Sequence, residues 1–455
     1  MSFAELMQKN IPMYAGIIPS EDAKINIPAR IRMTTLYAVA QSIPGGGRVA
    51  NTCNRSEDYI GYSTKYGDAA GDFAPIAGYL VTEVKQIGHS IELLKDVPEL
   101  IDKIPSDGLC GKTDEDRFGF TYNMLDEYKP KNVVTILCDG MGSNIMDRAL
   151  DSDSFLIKNR IKSITTVFPA TTVAATTSMI TGLNPVETGM LGWDTYYKDI
   201  DKVITTFFNY EKGDKTETVI EDAVKCHDKY MITRPTIKDI NHDTNYKGYS
   251  LFPFGENNYK DIDEMFNIIE NRCNEDGKKY IYAYNTEPDH SMHEIGSANE
   301  TVYDIIRDIN KRVEELSKKV RDTVIFVVAD HGHINVDNIF LSDYPDIVNC
   351  LKRNTSMEPR AVNFFIKEGK KEEFAILFNE YFSEYFDLYT KDDVIESKLF
   401  GDGDENPIFR DELGDYLAIA KSNKTLLYGG SEVLVSQHAG YTLDEILVPL
   451  IVIKL

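Results

Sequence analysis

Nowhere does this 455-residue sequence run for the roughly 18 apolar residues that a membrane-crossing helix needs, and its opening MSFAELMQKN lacks the apolar core of a secretion signal. The expectation is a cytoplasmic protein with no membrane contact. Cysteines at CxxC spacing are also missing. Cys53, Cys110, Cys138, Cys226, Cys273 and Cys350 are scattered and read as reduced thiols, not as a zinc finger or a disulfide frame. Positive charge is scarce: 49 Lys and Arg stand against 73 Asp and Glu, a formal charge of -24. Such a surface repels polyanions, so no stable nucleic-acid binding is expected, although bound metal ions can make one local site attractive to phosphate. There is no low-complexity tract. What remains, 42% hydrophobic and 27% charged, is the composition of a globular protein with length for two or three domains.

What is present is organised around residues 324–333, VIFVVADHGH. The apolar, mostly β-branched run is the pattern of a strand buried on both faces of a parallel sheet. Asp330 and His331 stand at its end, followed by Gly332 and His333. Ligands of open α/β sheets bind beyond the carboxyl ends of strands, so two metal-ligand side chains there mark a candidate site. A strand running into a polar turn is the plain structural alternative.

The same logic recurs along the chain. NVVTILCDGMGSNIMDRAL (132–150) is an apolar strand that ends at Asp139 and passes through a glycine turn into a helical pattern, although Asp-Gly is also a common turn pair. In TTVFPATTVAATTSMITGLNPVETGMLGWD (165–194) the small residues 171–181 suit a tightly packed helix. A hydroxyl at its N-terminus would face unpaired amides and the positive dipole end, a suitable seat for a nucleophile that holds a phosphoryl group; any one threonine there reads equally as an N-cap. KKYIYAYNTEPDHSMHEIG (278–296) gives a third strand, 280–285, followed by Asp289 and His293, whose spacing lets both meet one ion. A helix, 299–319, leads back to the first stretch. Residues 200–275 are polar and irregular, with His227 and His242 read as surface residues, and 336–430 are acidic and aromatic-rich with helical segments such as 371–385, a candidate lid or cap. SQHAGYTLDEILVPLIVI sets His438 in a polar loop before a last strand, 446–453. Asp and His without a cysteine thiolate suit two zinc ions, or a zinc and a related divalent metal, clamping an in-line phosphoryl displacement.

LCDGMG, FPATTVAATTSMITGLNP, DHSMH, ADHGH and QHAGYTLDEILVPL, in that order, resemble the alkaline phosphatase superfamily over residues 131–455, and most closely its type I phosphodiesterase/nucleotide pyrophosphatase branch. The resemblance implies an α/β fold with a mostly parallel central sheet flanked by helices, and with 336–430 as an insertion or cap. It implies that Asp139, Asp330 and His331 hold one metal and Asp289, His293 and His438 the other. Thr172 would be the nucleophile that bridges both, with Thr171 the second choice. The implied activity is phosphoester hydrolysis through a covalent phosphothreonine on a small phosphoester or nucleotide, with Zn2+ as first candidate metal and Mn2+ as second. Two departures bear on the substrate. The family's phosphate-binding Asn, about twenty residues beyond the nucleophile, is replaced by Trp193, which reads as a base- or sugar-stacking ring or as a core residue. No arginine follows Thr172 closely, and a threonine in place of a cysteine argues against a sulfatase. His333 reads either as a residue orienting a ligand or as part of the turn.

Residues 1–129 form a separate expected domain, ahead of 130–455. IPARIRMTTLYAVAQ (27–41) has helical spacing with Pro28 placed for a first turn, and a glycine-rich break at 44–47 precedes a polar stretch, 51–75. NIPARIRM, NRSEDYIGYSTKYGDAAGDFAP and PSDGLCGKTDEDRFGFTY resemble the C-terminal half of ammonia-dependent NAD synthetase over about residues 24–128. That resemblance implies Glu57 on a magnesium ion, Thr52 near ATP, Lys65 on phosphate, and Asp68 and Asp72 at the deamido-NAD site. The family's SGGxDS nucleotide loop is absent from this sequence. The expectation is therefore a truncated, mainly helical module, inactive in adenylation as a single chain and able to pair into a homodimer. Mg2+ and ATP enter only if it is active. NAD synthesis with the loop supplied by another chain is one alternative, and a non-catalytic dimerisation unit or fusion remnant is another.

Overall fold

The apolar, β-branched stretch Asn132–Cys138 forms a strand near the middle of a six-stranded sheet. The structure is a computed structural model, and it describes residues 21–60, 64, 67, 69–94, 97–103, 105, 113–118, 121–123, 130–255 and 258–455. The chain divides into two compact units, Met1–Lys129 and Pro130–Leu455.

In the second unit the sheet order is Arg160–Thr165, Leu447–Lys454, Thr323–Val328, Asn132–Cys138, Lys278–Asn285, Tyr246–Leu251. The last four strands of that order run parallel, with Cys138 opposite Asn285 and Leu137 opposite Val328. This register brings the chain out beyond Cys138, Asn285 and Val328 on one edge. The antiparallel strand Leu447–Lys454 begins at that edge, and its other neighbour Arg160–Thr165 ends there. Helices cover both faces. On one, Val302, Ile306, Ile309 and Val313 of the helix Glu300–Lys319 bury their stripe against Val134 and Ile136. On the other, Ile180 of the helix Thr172–Thr181 packs on Leu137 and Tyr282.

Residues 336–430 do more than carry helices. Ser356–Glu358, Ala361–Phe364, Phe386–Thr390 and Tyr416–Ala420 join Asp194–Tyr197, Lys202–Thr205 and Tyr210–Glu211 in a seven-stranded sheet. The bridge between its two sequence-distant halves is the pairing of Met357 with Asp194. Phe374, Phe378 and Phe382 of the helix Lys371–Phe382 fill the core behind it. The region 200–275, unpatterned in sequence, holds the edge strand Tyr246–Leu251 and the helices Glu221–Tyr230, Ile237–Asp243 and Ile262–Asn274. An edge strand with solvent on one side needs no apolar run, and Gly248 is required there because a Cβ would lie 2.3 Å from Ile237. His242 is exposed and His227 is half-buried.

The first unit is mainly helical where described, with a small core of Met33, Ala40 and Val49. Its helix Glu21–Ser42 contains Pro28 well inside, not in the first turn. The apolar spacing begins only at Ile27, so the polar start of the helix leaves no periodic trace in the sequence.

One buried ion pair ties the second sheet to the loop before the last strand. Arg360 and Glu445 are both fully enclosed, with Nε donating to Oε1 at 2.6 Å and a second guanidinium nitrogen donating to Oε2 at 2.8 Å. Glu445 also accepts from the Gly440 amide at 2.7 Å and the Thr442 hydroxyl at 2.7 Å. Removing one partner of such a pair strands the other charge. Arg360→Met is expected to destabilise the second unit by about 3–5 kcal/mol, measured by urea denaturation; a loss below about 1 kcal/mol would show that the pair contributes little.

Candidate metal centre and active site

At the shared strand edge two groups of ligand-type side chains assemble, and among the described residues both lie in the second unit. Asp139, Asp330 and His331 form one group; Asp289, His293, His333 and His438 form the other, and within each group the ligand atoms lie within 4.8 Å of one another. Asp139 and Asp330 are the first residues past adjacent parallel strands or nearly so. Asp289 opens the helix Asp289–Ile295, which places His293 one turn on, and the Asp289 amide donates to the Asp139 carbonyl at 3.1 Å. His438 arrives on the loop that feeds the last strand. Two glycines allow this crowding: a Cβ on Gly332 would sit 2.0 Å from the Asp444 carbonyl oxygen, and one on Gly142 would sit 2.6 Å from the Gly332 Cα.

The carboxylates are poorly compensated. Asp330 Oδ1 accepts from the Gly140 amide at 3.0 Å and the His331 amide at 2.9 Å, but Asp330 Oδ2 and Asp139 Oδ1 are buried with no hydrogen-bond partner among the described residues. The Tyr284 hydroxyl donates to the other oxygen of Asp139. Burial holds both carboxyls well above the usual range, with Asp289 adding to the effect on Asp139 and Asp139 to that on Asp330. Burial also acts on Asp289, but His293 and His333 outweigh it and hold that group well below the usual range.

The imidazoles share one orientation. Nδ1 faces the Gly332 carbonyl at 3.1 Å in His331, the Ser436 carbonyl at 2.9 Å in His293, and the Ala170 carbonyl at 3.2 Å in His438. In His333 it lies 2.7 Å from Ser436 Oγ, whose own proton goes to the Met292 carbonyl. Each partner is an acceptor, so Nδ1 carries a proton and Nε2 is turned inward. Nε2 of His333 lies 2.5 Å from Asp289 Oδ1, Nε2 of His293 3.4 Å from Asp289 Oδ2, and Nε2 of His331 3.3 Å from Asp139 Oδ1. The His333 contact is a hydrogen bond to Asp289, whereas the longer His293 and His331 separations leave room for a shared cation. With the two unpartnered carboxylate oxygens, this is a donor set that fits divalent metal ions.

Thr171 caps the helix Thr172–Thr181, and Thr172 is its first residue. Thr172 Oγ1 lies 3.1 Å from His331 Nε2, whereas the Thr171 hydroxyl is taken up by Glu358 Oε1 at 2.6 Å. Asp289, His293 and His438 of the second group, with Thr172 and Trp193, border a cleft of about 700 Å³. Trp193 is 40% exposed, with its ring edge-on to Phe207 and Phe208, so it is not a core residue. Among the described residues no arginine lines the cleft; its lysines are Lys212 and Lys215, and Lys212 is buried in an ion pair with Asp194 at 3.0 Å. Glu358 was not legible from sequence. It is a single acid inside a short strand, and only the fold carries it to the cleft.

The residues singled out in the first unit are placed differently. Thr52 is exposed, before the helix Arg55–Ile60. Glu57 accepts from the Asn54 amide at 3.2 Å while its own amide donates to Asn54 Oδ1 at 3.1 Å, a reciprocal helix cap. Asp72 accepts from the Val49 amide at 2.7 Å and pairs with Arg48 at 3.6 Å. Lys65 and Asp68 lie outside the described residues.

Comparison with known proteins accounts for both units. Residues 4–135 match the NAD synthase family model. The NH(3)-dependent NAD(+) synthetase of Pyrococcus horikoshii is 50% identical over 104 residues, 22% of this chain and 38% of that protein. That of Finegoldia magna is 44% identical over 114 residues, 25% of this chain and 45% of that protein. The chain thus spans less than half the length of these curated relatives. Among solved structures, murine ectonucleotide pyrophosphatase/phosphodiesterase 5 matches with a TM-score of 0.53 at 17% identity, covering 70% of this chain and 87% of that one. Phosphonoacetate hydrolase from Sinorhizobium meliloti matches with a TM-score of 0.53 at 14% identity, covering 71% and 90%. These likenesses establish an alkaline phosphatase-like α/β fold for the second unit. The family model for type I phosphodiesterase/nucleotide pyrophosphatase matches residues 133–441, well over half of the sequence, and the chain belongs to that family.

Proposed function

We propose that residues 130–455 form a two-metal phosphoester hydrolase of the phosphodiesterase/nucleotide pyrophosphatase type, with Thr172 as a covalent nucleophile. The observation that carries this reading is the position of Thr172 Oγ1, 3.1 Å from His331 Nε2 and at the head of a helix, beside two buried carboxylates that each keep one oxygen without a partner among the described residues. Asp139, Asp330 and His331 would hold one divalent ion, and Asp289, His293 and His438, with His333 beside them, the other. The nitrogen and oxygen donors suit Zn2+, with Mn2+ second. Bound there, the ions would supply Lewis-acid stabilisation to a phosphoryl group in displacement.

The chain's own residues then have separate tasks. The Thr172 hydroxyl gives up its proton, its Oγ bonds to phosphorus, and the bond to the leaving alcohol breaks. Water then displaces Thr172 from the phosphothreonine, restoring the hydroxyl. The amides at the start of the helix face the anionic phosphoryl oxygens. Glu358 occupies the Thr171 hydroxyl, which leaves Thr172 as the nucleophile of the pair. Trp193 offers an exposed ring to the organic part of a small phosphoester or nucleotide.

In the first unit we infer a non-catalytic role, dimerisation or a fusion remnant, because Glu57 and Asp72 are engaged in local caps and turns. Conversion of deamido-NAD to NAD with ATP, Mg2+ and ammonia by the purified chain would overturn that.

Two outcomes test the hydrolase. Metal analysis is expected to find two ions per chain, reduced in Asp330→Asn and in His438→Ala; none in the unaltered chain would refute the site. Thr172→Ala is expected to lower hydrolysis of bis-p-nitrophenyl phosphate on the order of 10³-fold or more, with unchanged metal content, and equal rates in the two chains would remove the covalent step.

A further inference from the structure

Glu358 stands apart from the two metal-ligand groups, yet its placement is tightly specified. Oε1 accepts two hydrogen bonds, from the Thr171 hydroxyl at 2.6 Å and the Trp193 amide at 2.8 Å. The residue is only 6% exposed, and the backbone that delivers it is strained: Met357 has φ of +67°, uncommon for a side chain of its size. Gly192 makes room for that conformation, since a Cβ there would sit 2.9 Å from the Met357 Cα. Oε2, by contrast, has no hydrogen-bond partner among the described residues and is not enclosed, and Glu358 lines the cleft beside Thr172 and Trp193. One oxygen therefore fixes the group and the other is offered to whatever fills the cleft.

A carboxylate is acceptor-only, and it repels further negative charge. Of the two lysines on that wall, Lys212 is already paired with Asp194. Resting on the hydrolase reading above, we propose that Glu358 is a specificity-determining residue that takes a hydrogen bond from a donor on the substrate's organic substituent. The substrate class is a monoanionic phosphodiester whose substituent lies against the Trp193 ring and carries a hydroxyl or an ammonium group. A second phosphate or a dianionic monoester in that place meets an unpaired acceptor and is disfavoured.

The test uses three p-nitrophenyl phosphodiesters that share one leaving group, with ethyl, 2-hydroxyethyl and 2-aminoethyl as the second substituent. Assays run at pH 8.5, because burial pushes the Glu358 carboxyl up to about 7 and it is ionised there. For the unaltered chain, kcat/KM is expected to favour a donor-bearing ester over the ethyl ester about tenfold or more, through KM. Preference for both donor esters points to the hydrogen bond itself, and preference for the aminoethyl ester alone points to its charge as the donor's needed feature. Glu358→Gln keeps an oxygen for Thr171 and Trp193 while turning an amide toward the cleft, so it should abolish or reverse the preference. Turnover of the ethyl ester without a preference, or a preference that survives Glu358→Gln, overturns the role of Glu358 alone. No turnover of any ester by the metal-loaded chain overturns the hydrolase reading and this proposal with it. Absence of the preference in the unaltered chain overturns the role of Glu358 even if the variant fails to fold.

Discussion

The burial of Asp139 and Asp330 next to each other is the constraint on which the rest of the second unit turns. Their side chains emerge from adjacent parallel strands in fixed register, so they cannot separate without breaking the sheet, and each keeps one oxygen without a partner. An isolated ionised carboxylate in such surroundings is strongly disfavoured, and two together more so. A fold that holds both against this tendency has the electrostatics of a cation site in place before any cation arrives. The inward Nε2 atoms of His293, His331, His333 and His438 complete that arrangement, because each ring is turned by a hydrogen bond on its outer nitrogen.

Close backbone packing makes the arrangement geometrically possible. Gly142 and Gly332 let the turns after two strands approach each other and the Asp444 carbonyl, where any side chain would collide. The Arg360 to Glu445 pair then holds the loop that brings His438 in, through the amide of Gly440. The second sheet thereby has a part in the site. It supplies Glu358, anchors the loop carrying a histidine, and sets Trp193 on the cleft wall through the pairing of Met357 with Asp194. Its charge is also distinctive: the cleft wall pairs its buried Lys212 with Asp194 and sets the Glu358 carboxylate beside Thr172 and Trp193.

Legibility in the sequence differed from residue to residue. The apolar runs before Asp139, Asp289 and Asp330 were readable as strands because burial on both faces excludes polar residues. Thr172 is not separable from Thr171 by local pattern, since either suits a helix start; in the structure the Thr171 hydroxyl is engaged by Glu358. His333 reads equally as turn or site, and its contact with Asp289, at the head of a helix, is visible only in the structure. Pro28 was placed in a first turn because the helix before it is polar and aperiodic. Residues 336–430 suggest a cap with helices; their strands are short and pair mostly with one another, and the link to an earlier strand joins Met357 to Asp194, some 160 residues back in the sequence.

By itself the sequence determined which segments become buried strands and which chemical groups stand at their ends, because both follow from local apolar pattern and residue type. Only the tertiary structure decided which of those groups meet, which nitrogen of each histidine turns inward, that Trp193 is a wall residue and that Glu358 reaches the cleft. Those outcomes depend on strand order, register and backbone approach between distant parts of the chain. The opening stretch VIFVVADHGH carries Asp330 and His331 in its own letters, but the carboxylate that makes them a site, Asp139, comes from a neighbouring strand that only the sheet places beside them.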